Sequence, residues 1–371
     1  MVLFGIDRLF SAPVSSWGRV GLMTNPTGID ARGVSAIDIL AKNGCLTALF
    51  ACEHGVRGCV PGGEKVDTFI DEKTGVTVYS CFGASTHLPE AALDAFDTLV
   101  YDIQDAGARF YTFIYSLSDA MEDCAKAGKK VVVLDRPDPL GGETVQGTLL
   151  DERVSSFVGR FPMPTRYALT VGEYALWVKR RLKLDLDLNV IPMEGWDRSM
   201  YYADTGRLFV PPSPNLATLH ALNIYPGTCI FEGTNISEGR GTTLPFELIG
   251  APFLDGEKLA DAMNAKQLPG FYFRSAYFTP VCSKFAGELC SGVQIYVTNL
   301  SLTDAPLMGF TLLDEIRKQA GERFGWTGSI DRLTGIKDFA GMNKTPEELI
   351  LGEKARLSAW YTDAQEIMLY R

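Results

Sequence analysis

The sequence is poor in histidine and has no spaced set of metal ligands. Its three histidines, His54, His87 and His220, form no H-E-x-x-H or related motif. The cysteines between positions 45 and 59 also lack the C-x2-C spacing of a zinc site. We therefore expect no metal ion in the functional site.

Cysteine is sparse as well, with eight residues in a chain of 371. At this density, and outside a metal motif, buried free thiols are the default state. A disulfide between Cys282 and Cys290, eight residues apart before a predicted strand, stays open as an alternative.

Signatures of a serine nucleophile and of nucleotide binding are missing. Gly83–His87 lacks the second glycine of a G-x-S-x-G elbow. No G-x-G-x-x-G follows the first apolar run, and Gly141–Gly147 does not complete a Walker sequence. We expect no cofactor, which leaves carboxylate chemistry.

The charge pattern argues against nucleic acid as a partner. The 35 basic and 45 acidic side chains give a net charge of −10, and no basic run is long enough to follow a phosphate backbone. An anionic substrate would therefore need a particular arginine rather than the overall field. The sequence indicates no oligomeric state.

Long apolar runs are absent too. No segment approaches the roughly 18 apolar residues of a membrane span. The first ten residues, MVLFGIDRLF, show no signal-peptide core or cleavage motif, so we expect a cytoplasmic protein as the sequence stands. If a signal peptide had been removed, the protein would be periplasmic or extracellular.

Short apolar runs alternate with amphipathic segments in the first 140 residues. This alternation predicts an α/β fold with a doubly wound, mainly parallel sheet that is covered on both faces. The predicted strands are Val20–Thr24, Leu46–Cys52, Val76–Cys81, Thr98–Asp102 and Lys130–Asp135. The predicted helices between and after them are Val34–Lys42, Pro89–Phe96, Tyr111–Lys126 and Val171–Leu182.

The pattern changes in the last third of the chain. Strand-like Phe271–Tyr277 and Val293–Thr298 precede helix-like Leu307–Ala320 and Thr345–Leu357. We predict a first, larger domain over residues 1–245 and a smaller α+β domain over residues 246–371. Residues 55–75 are predicted to form a loop over the crevice, and residues 211–241 a long irregular region.

Polar residues follow several of the predicted parallel strands, where ligands bind in such sheets. They are Asn25, Glu53, His54, Asp102, Gln104, Asp105 and Arg136. The alternative for any single position is a helix cap or a turn.

Glu53 is the best-placed acid of this set. It follows an apolar strand that would partly desolvate it, and it precedes His54 and Gly55 in a tight turn. Hydrolysis of a glycosidic bond needs such a carboxyl group to protonate the leaving oxygen, and usually a second carboxylate. The alternative is a structural ion pair between Glu53 and Arg57.

Two further segments combine charges with glycines or aromatic residues. Residues 232–243 contain Glu232, Asn235, Glu238 and Arg240 among three glycines, which favours a binding loop over a polar turn between domains. Residues 102–111 join acids and an amide to Arg109 and Tyr111, a combination that suits a sugar ring. Arg109 would alternatively pair with Asp102 or Asp105.

At these residues the chain resembles the NamZ-type exo-β-N-acetylmuramidases, glycoside hydrolase family 171. The resemblance covers nearly the whole chain, and only the number and order of its motifs make it specific. The motifs are Gly21–Gly28, Glu53–Gly58, Asp102–Tyr111, Leu134–Pro137 with Gly141 and Gly142, Pro212–Asn215, Tyr225–Gly227, Phe231–Thr243, Pro245–Glu247 and Gly250–Pro252.

The resemblance implies a Rossmann-like catalytic domain and a smaller auxiliary domain, with Glu53 at the position of the family's proposed catalytic glutamate. It also implies release of N-acetylmuramic acid (MurNAc) from non-reducing ends of peptidoglycan fragments during cell-wall recycling. One departure is Tyr167, which stands where family members usually have histidine in Arg-His-Gly-Met-Thr.

We therefore predict that Glu53 is the general acid or the acid/base, helped by His54, with Glu238 or Asp102 as second carboxylate. Arg109 or Arg240 would hold the lactyl carboxylate of MurNAc. The predicted substrate-binding residues are Asn25, Arg57, Gln104, Asp105, Arg109, Tyr111, Arg136, Asn215, Glu232, Asn235 and Arg240. The competing hypotheses are a peptidoglycan-fragment binding module that does not cut and, less favoured, an NAD-using enzyme.

Overall fold

The structure is a computed structural model that describes residues 1–11, 17–53, 55–58, 68–83 and 85–371, with side chains at positions 10 and 11 left out. The strands are β1 (Val20–Thr24), β2 (Leu46–Ala51), β3 (Phe69–Ile70), β4 (Thr77–Ser80), β5 (Thr98–Asp102), β6 (Lys130–Leu134), β7 (Leu188–Ile191), β8 (Leu248–Ala251), β9 (Phe271–Phe278) and β10 (Cys290–Val297). The α-helices are α1 (Ala36–Lys42), α2 (Phe113–Lys126), α3 (Val171–Leu182), α4 (Leu219–Thr228), α5 (Gly256–Ala265), α6 (Ala305–Ala320), α7 (Ile330–Thr334) and α8 (Pro346–Ala364).

The larger sheet has the strand order β3-β4-β2-β1-β5-β6-β7. All neighbours pair in parallel except β3, which runs antiparallel to β4 at the edge. The chain winds outward from β1 through β2 and β4, and then outward on the other side from β5 through β7. The predicted doubly wound sheet is confirmed, and its switch point lies between β1 and β5, where such folds open a crevice.

The two faces of this sheet are covered separately because successive side chains of a strand point to opposite faces. Met23 and Phe50 pack in the apolar cluster that includes α2 and α3. Leu22 and Leu49 pack in a second cluster with α1 and the amino-terminal segment. Burial on both faces explains why the strands read as continuous apolar runs.

The smaller sheet is antiparallel, with the order β8-β10-β9. Its strands alternate, so that Phe273 is buried while Tyr272 is exposed. The buried face packs in one cluster with residues of α5 and α6, which confirms the smaller α+β layer. That cluster already includes Ile224 and Phe231, upstream of the predicted boundary at residues 245 and 246, which stays a prediction.

The prediction that residues 211–241 are irregular was wrong for α4, which contains Pro226. Proline normally interrupts a helix because it lacks an N–H and crowds the preceding turn. Here the helix is held by a close approach to α6. A Cβ atom on Gly227 would lie 1.9 Å from the Ala305 carbonyl oxygen, and one on Gly309 would lie 2.0 Å from the Gly227 oxygen.

Two other expectations change. Cys282 and Cys290 are both free thiols, so the disulfide alternative was wrong. Within the predicted loop over residues 55–75, the described part includes β3 at the sheet edge, while residues 59–67 lie outside the description.

Over the described ranges, no helix is long and apolar enough to cross a membrane.

We predict that Gly309→Ala destabilises the protein by about 1 to 3 kcal/mol, because the added methyl group must push α6 away from α4. Gly352→Ala is the control, since Gly352 lies exposed in α8 with no atom within 4 Å of an added Cβ. That change should leave stability unchanged or raise it by up to roughly 1 kcal/mol. Urea unfolding followed by circular dichroism measures both, and equal midpoints would contradict the packing argument.

Candidate functional site

A cavity of about 490 Å³ opens where segments that follow β2 and β5 meet loops of the smaller layer. This is the crevice expected beyond the carboxyl ends of the strands. Its described lining residues are Glu53, Phe110, Tyr111, Thr112, Phe113, Val158, Ser213, Asn215, Tyr225, Glu232, Arg240, Gly241, Cys282 and Ser283.

Glu53 stands two residues after the end of β2 and is half-buried. Its position follows from the turn that closes the strand, in which the Gly55 amide donates to the Cys52 carbonyl at 3.1 Å. Gly55 has a φ of 75°, a conformation that glycine adopts without strain. The Thr112 hydroxyl lies 3.4 Å from Glu53 Oε2 and joins the carboxylate to the start of α2.

One wall of the cavity is a set of aromatic rings in edge-to-face contact. The ring centroids of Phe110 and Tyr225 are 5.1 Å apart, and those of Tyr111 and Phe113 are 5.0 Å apart. Rings of this kind present apolar faces to one side of a sugar.

Tyr111 adds a polar group to this wall. Its side chain is 7% exposed, and its hydroxyl has no hydrogen-bond partner among the described residues. Burial, with the nearby charges of Asp105 and Glu53, raises the pKa of Tyr111 well above its usual value. The phenol therefore stays neutral and is able to donate a hydrogen bond to a ligand.

The part of the lining contributed by residues 232–241 carries an ion pair between Glu232 and Arg240. Arg240 Nε lies 2.8 Å and its Nη2 2.5 Å from Glu232 Oε1, and both side chains are about one-third exposed. The Arg240 guanidinium also stacks 5.1 Å from the Phe246 ring centroid. Gly241 allows the loop that carries Arg240 to approach the main chain at Cys282, because a Cβ atom on residue 241 would lie 2.5 Å from the Cys282 carbonyl oxygen.

Asp102 and Arg136, predicted for the site, form a buried ion pair beneath it. Asp102 Oδ1 accepts from Arg136 Nε at 2.6 Å, and the two side chains are 0% and 2% exposed. Burial opposes the charge on Arg136, but the Asp102 carboxylate raises the pKa of the guanidinium. Neither side chain lines the cavity, so the structure does not bring Asp102 to the position of a second carboxylate.

Arg109 is also placed differently from the prediction. It is fully buried and donates to the carbonyl oxygens of Thr148 at 2.8 Å, Met163 at 3.1 Å and Leu333 at 3.0 Å. The guanidinium therefore ties the segment after β5 to α7 and does not face the cavity. Its donors go to these carbonyls rather than to Asp102 or Asp105, so the alternative pairing was wrong too.

Asp105 and Gln104 lie in the interior beside the same strand end. Asp105 Oδ2 accepts from the Gly107 amide at 2.7 Å and from the Tyr167 hydroxyl. Burial raises the pKa of Asp105 to about 6. The Gln104 side-chain amide donates to the carbonyls of Asp105 and Pro137.

Four more predicted residues bind other parts of the protein. Asn25 accepts from Thr27 within a turn, and Arg57 binds Asp71 at 2.6 Å. Asn235 bonds to the main chain at positions 323 and 325, and Glu238, 2% exposed, accepts from Lys284 Nζ at 2.8 Å. Of the predicted residues, the cavity therefore brings together Glu53, Tyr111, Asn215, Glu232 and Arg240. His54 lies outside the described residues.

Several lining residues were not predicted. Ser213 and Tyr225 lie within two of the short motifs quoted above, which is the signal that would have found them. Val158, Cys282 and Ser283 carry no such signal and reach the cavity only through folding. Among the residues that the structure describes, no cluster of three or more metal-ligating side chains occurs.

Comparison with known proteins gives matches along most of the chain. The model of the amino-terminal part of the exo-β-N-acetylmuramidase NamZ matches residues 20–220, and the carboxy-terminal model matches residues 223–370. The peptidoglycan β-N-acetylmuramidase NamZ of Bacillus subtilis strain 168 is 46% identical over 321 residues, which is 85% of this chain and 78% of the relative.

Two crystal structures of DUF1343 family proteins from Bacteroides fragilis NCTC 9343 share the fold. They are 32% and 31% identical, with TM-scores of 0.90 and 0.81, and each comparison covers 100% of this chain and 99% of the other. Because both family models and the Bacillus relative agree over so much of the sequence, this chain belongs to the NamZ family of exo-β-N-acetylmuramidases.

Proposed function

We propose that this protein is an exo-acting glycoside hydrolase that releases MurNAc from the non-reducing ends of peptidoglycan fragments, as a step of cell-wall recycling. The observation that carries the proposal is Glu53, a half-buried carboxyl group on the wall of the cavity. Family membership supports the assignment of peptidoglycan fragments as the substrate, because the Bacillus relative is named a peptidoglycan β-N-acetylmuramidase.

Glu53 is the general acid of the proposed reaction. It donates its proton to the glycosidic oxygen while the bond from this oxygen to the anomeric carbon breaks, so that the leaving group departs as a neutral alcohol. The aromatic wall beside Glu53 excludes part of the solvent around the carboxyl group, so fewer water molecules compete with the glycosidic oxygen for its proton.

Substrate recognition is assigned to the other predicted residues on the cavity wall. Tyr111 and Asn215 offer hydrogen bonds to sugar hydroxyl and acetamido groups, and the aromatic rings offer an apolar face. Among the described lining residues, Arg240 is the one Lys or Arg side chain, so it is the cation proposed to meet the lactyl carboxylate of MurNAc. Because the protein carries a net negative charge, the carboxylate of the substrate needs a local positive charge such as this one in order to bind.

We predict that Glu53→Gln lowers the release of MurNAc from MurNAc-GlcNAc by at least about 100-fold, because the sugar leaving group needs a proton that an amide cannot donate. The thermal midpoint should stay within about 2 °C of the wild type, since the side chain keeps its size. Glu257→Gln is the matched control, an exposed acid in the first turn of α5. Retained turnover in Glu53→Gln would refute the assignment, and wild-type protein that binds MurNAc-GlcNAc without freeing sugar would indicate a binding module instead.

We further predict that alkylation of Cys282 by N-ethylmaleimide inhibits the enzyme. Cys282 is an exposed free thiol that lines the cavity, so the added group would occupy space needed by the sugar. A saturating concentration of MurNAc should slow the inactivation. Cys282→Ser supplies the comparison, and full inactivation of this variant at the wild-type rate would contradict the proposed location of the site.

A further inference from the structure

The proposed reaction usually requires a second carboxylate near the anomeric carbon. Glu53 and Glu232 are the acidic residues among the described lining of the cavity. The acids predicted for this role do not reach it, because Asp102 is fully buried against Arg136 and Glu238 is 2% exposed against Lys284. We infer that Glu232, on the wall formed by the smaller layer, is the second catalytic carboxylate. This inference rests on the proposed function.

The main chain around Glu232 is held rigidly. Glu232 lies in a 3-10 helix (Cys229–Gly233) that directly follows α4. Its carbonyl oxygen accepts from the hydroxyls of Thr327 at 3.3 Å and Ser329 at 3.4 Å. A Cβ on Gly233 would lie 2.8 Å from Ile330 Cα, so α7 packs directly against the backbone here. A catalytic group needs such support to keep its position.

Arg240 binds one of the two carboxylate oxygens of Glu232. Both guanidinium contacts from Arg240 go to Oε1. Oε2 lies 3.7 Å from Cys229 Sγ, and a thiol is a weak donor. The side chain is 30% exposed and lines the cavity. Arg240 therefore fixes the group while Oε2 keeps acceptor capacity for a ligand.

A cation stands directly beside the Glu232 carboxyl group. Burial opposes the charge of Arg240, but the Glu232 carboxylate raises the pKa of the guanidinium. Burial raises the pKa of Cys229 well above its usual value, so the thiol adds no competing negative charge. A fixed anion is the group that an oxocarbenium-like transition state requires.

Glu53 transfers its proton to the glycosidic oxygen, which takes the electron pair of the breaking bond to the anomeric carbon. Glu232 stands on the opposite face of the sugar. There a new bond to the anomeric carbon forms, from the carboxylate itself or from a water molecule whose proton Glu232 accepts. In the first case a water molecule then gives its proton to Glu53, forms a bond to the anomeric carbon and displaces Glu232 as a carboxylate.

Glu232→Gln is the first test. The amide keeps the volume and an acceptor for Arg240 but loses the negative charge. We expect kcat on a chromogenic β-MurNAc glycoside to fall at least about 100-fold, with KM within about threefold and an unchanged thermal midpoint. Glu322→Gln, an exposed acid in the same part of the chain, should keep kcat within about twofold.

Sodium azide with Glu232→Ala tests the position of the carboxylate rather than its structural effect. Azide fills the space left by the side chain and attacks the anomeric carbon, while nitrophenolate leaves with the electron pair of the broken bond. The expected product is the α-configured MurNAc azide, identified by proton NMR. A β-azide, no azide product from folded protein, or Glu232→Gln within threefold of wild-type kcat would each overturn the inference.

Failure of the proposed function is distinguishable from failure of this inference. If wild-type protein frees no sugar, the proposed function is wrong. If wild-type protein is active and Glu53→Gln is not, while Glu232→Gln retains turnover, only the role of Glu232 is wrong. The thermal midpoint of Glu232→Gln shows in every case whether the variant is folded.

Discussion

The buried ion pair between Asp102 and Arg136 holds the strand ends from which the cleft is built. Asp102 ends β5, and Arg136 follows β6. The Arg136 guanidinium also donates to the Ile29 carbonyl beyond β1, and the Thr24 hydroxyl donates to the Asp102 carbonyl. One pair thus joins the ends of three neighbouring strands. Removing one partner of such a pair typically costs about 3 to 5 kcal/mol, because the other charge is left buried.

The cleft depends equally on how the smaller layer is held against this edge. Arg109 links the segment after β5 to the Leu333 carbonyl of α7, and α7 packs against the backbone beside Glu232. Glycine contacts between α4 and α6 fix the layer from within. Buried polar and packing contacts therefore connect the segment after β5 to the part of the smaller layer that carries Glu232.

Much of the fold could be predicted because local signals agreed with tertiary structure. The bounds of β1, β5 and α3 match the predicted segments, since continuous apolar runs and the Thr170–Glu173 capping box are local features. The helix α4 was missed because Pro226 and Gly227 normally break helices. Its contact with α6, more than 75 residues later in the chain, stabilises it, and no local pattern carries that information.

In the candidate site, too, local sequence signals predict some features, while long-range packing decides the others. Polar residues at strand ends point to the crevice, and Glu53 from that set lines the cavity, as does Tyr111 from the segment 102–111. The same rule cannot separate a residue that faces the cavity from one that turns inward, as Asp102, Asp105 and Arg109 do. The free-energy cost of burial decides between the two positions. A charged group is buried only where a partner such as Arg136, or a set of carbonyl oxygens, compensates for the lost hydration.

By itself the sequence determined the doubly wound architecture, the absence of common metal and nucleotide motifs, and the family through its ordered motifs. These depend on residue type and on spacing along the chain. Only the tertiary structure decided which acids line the same cavity, since Glu53 and Glu232 are 179 positions apart in the chain. Long-range packing sets that geometry, and packing is a property of the whole chain.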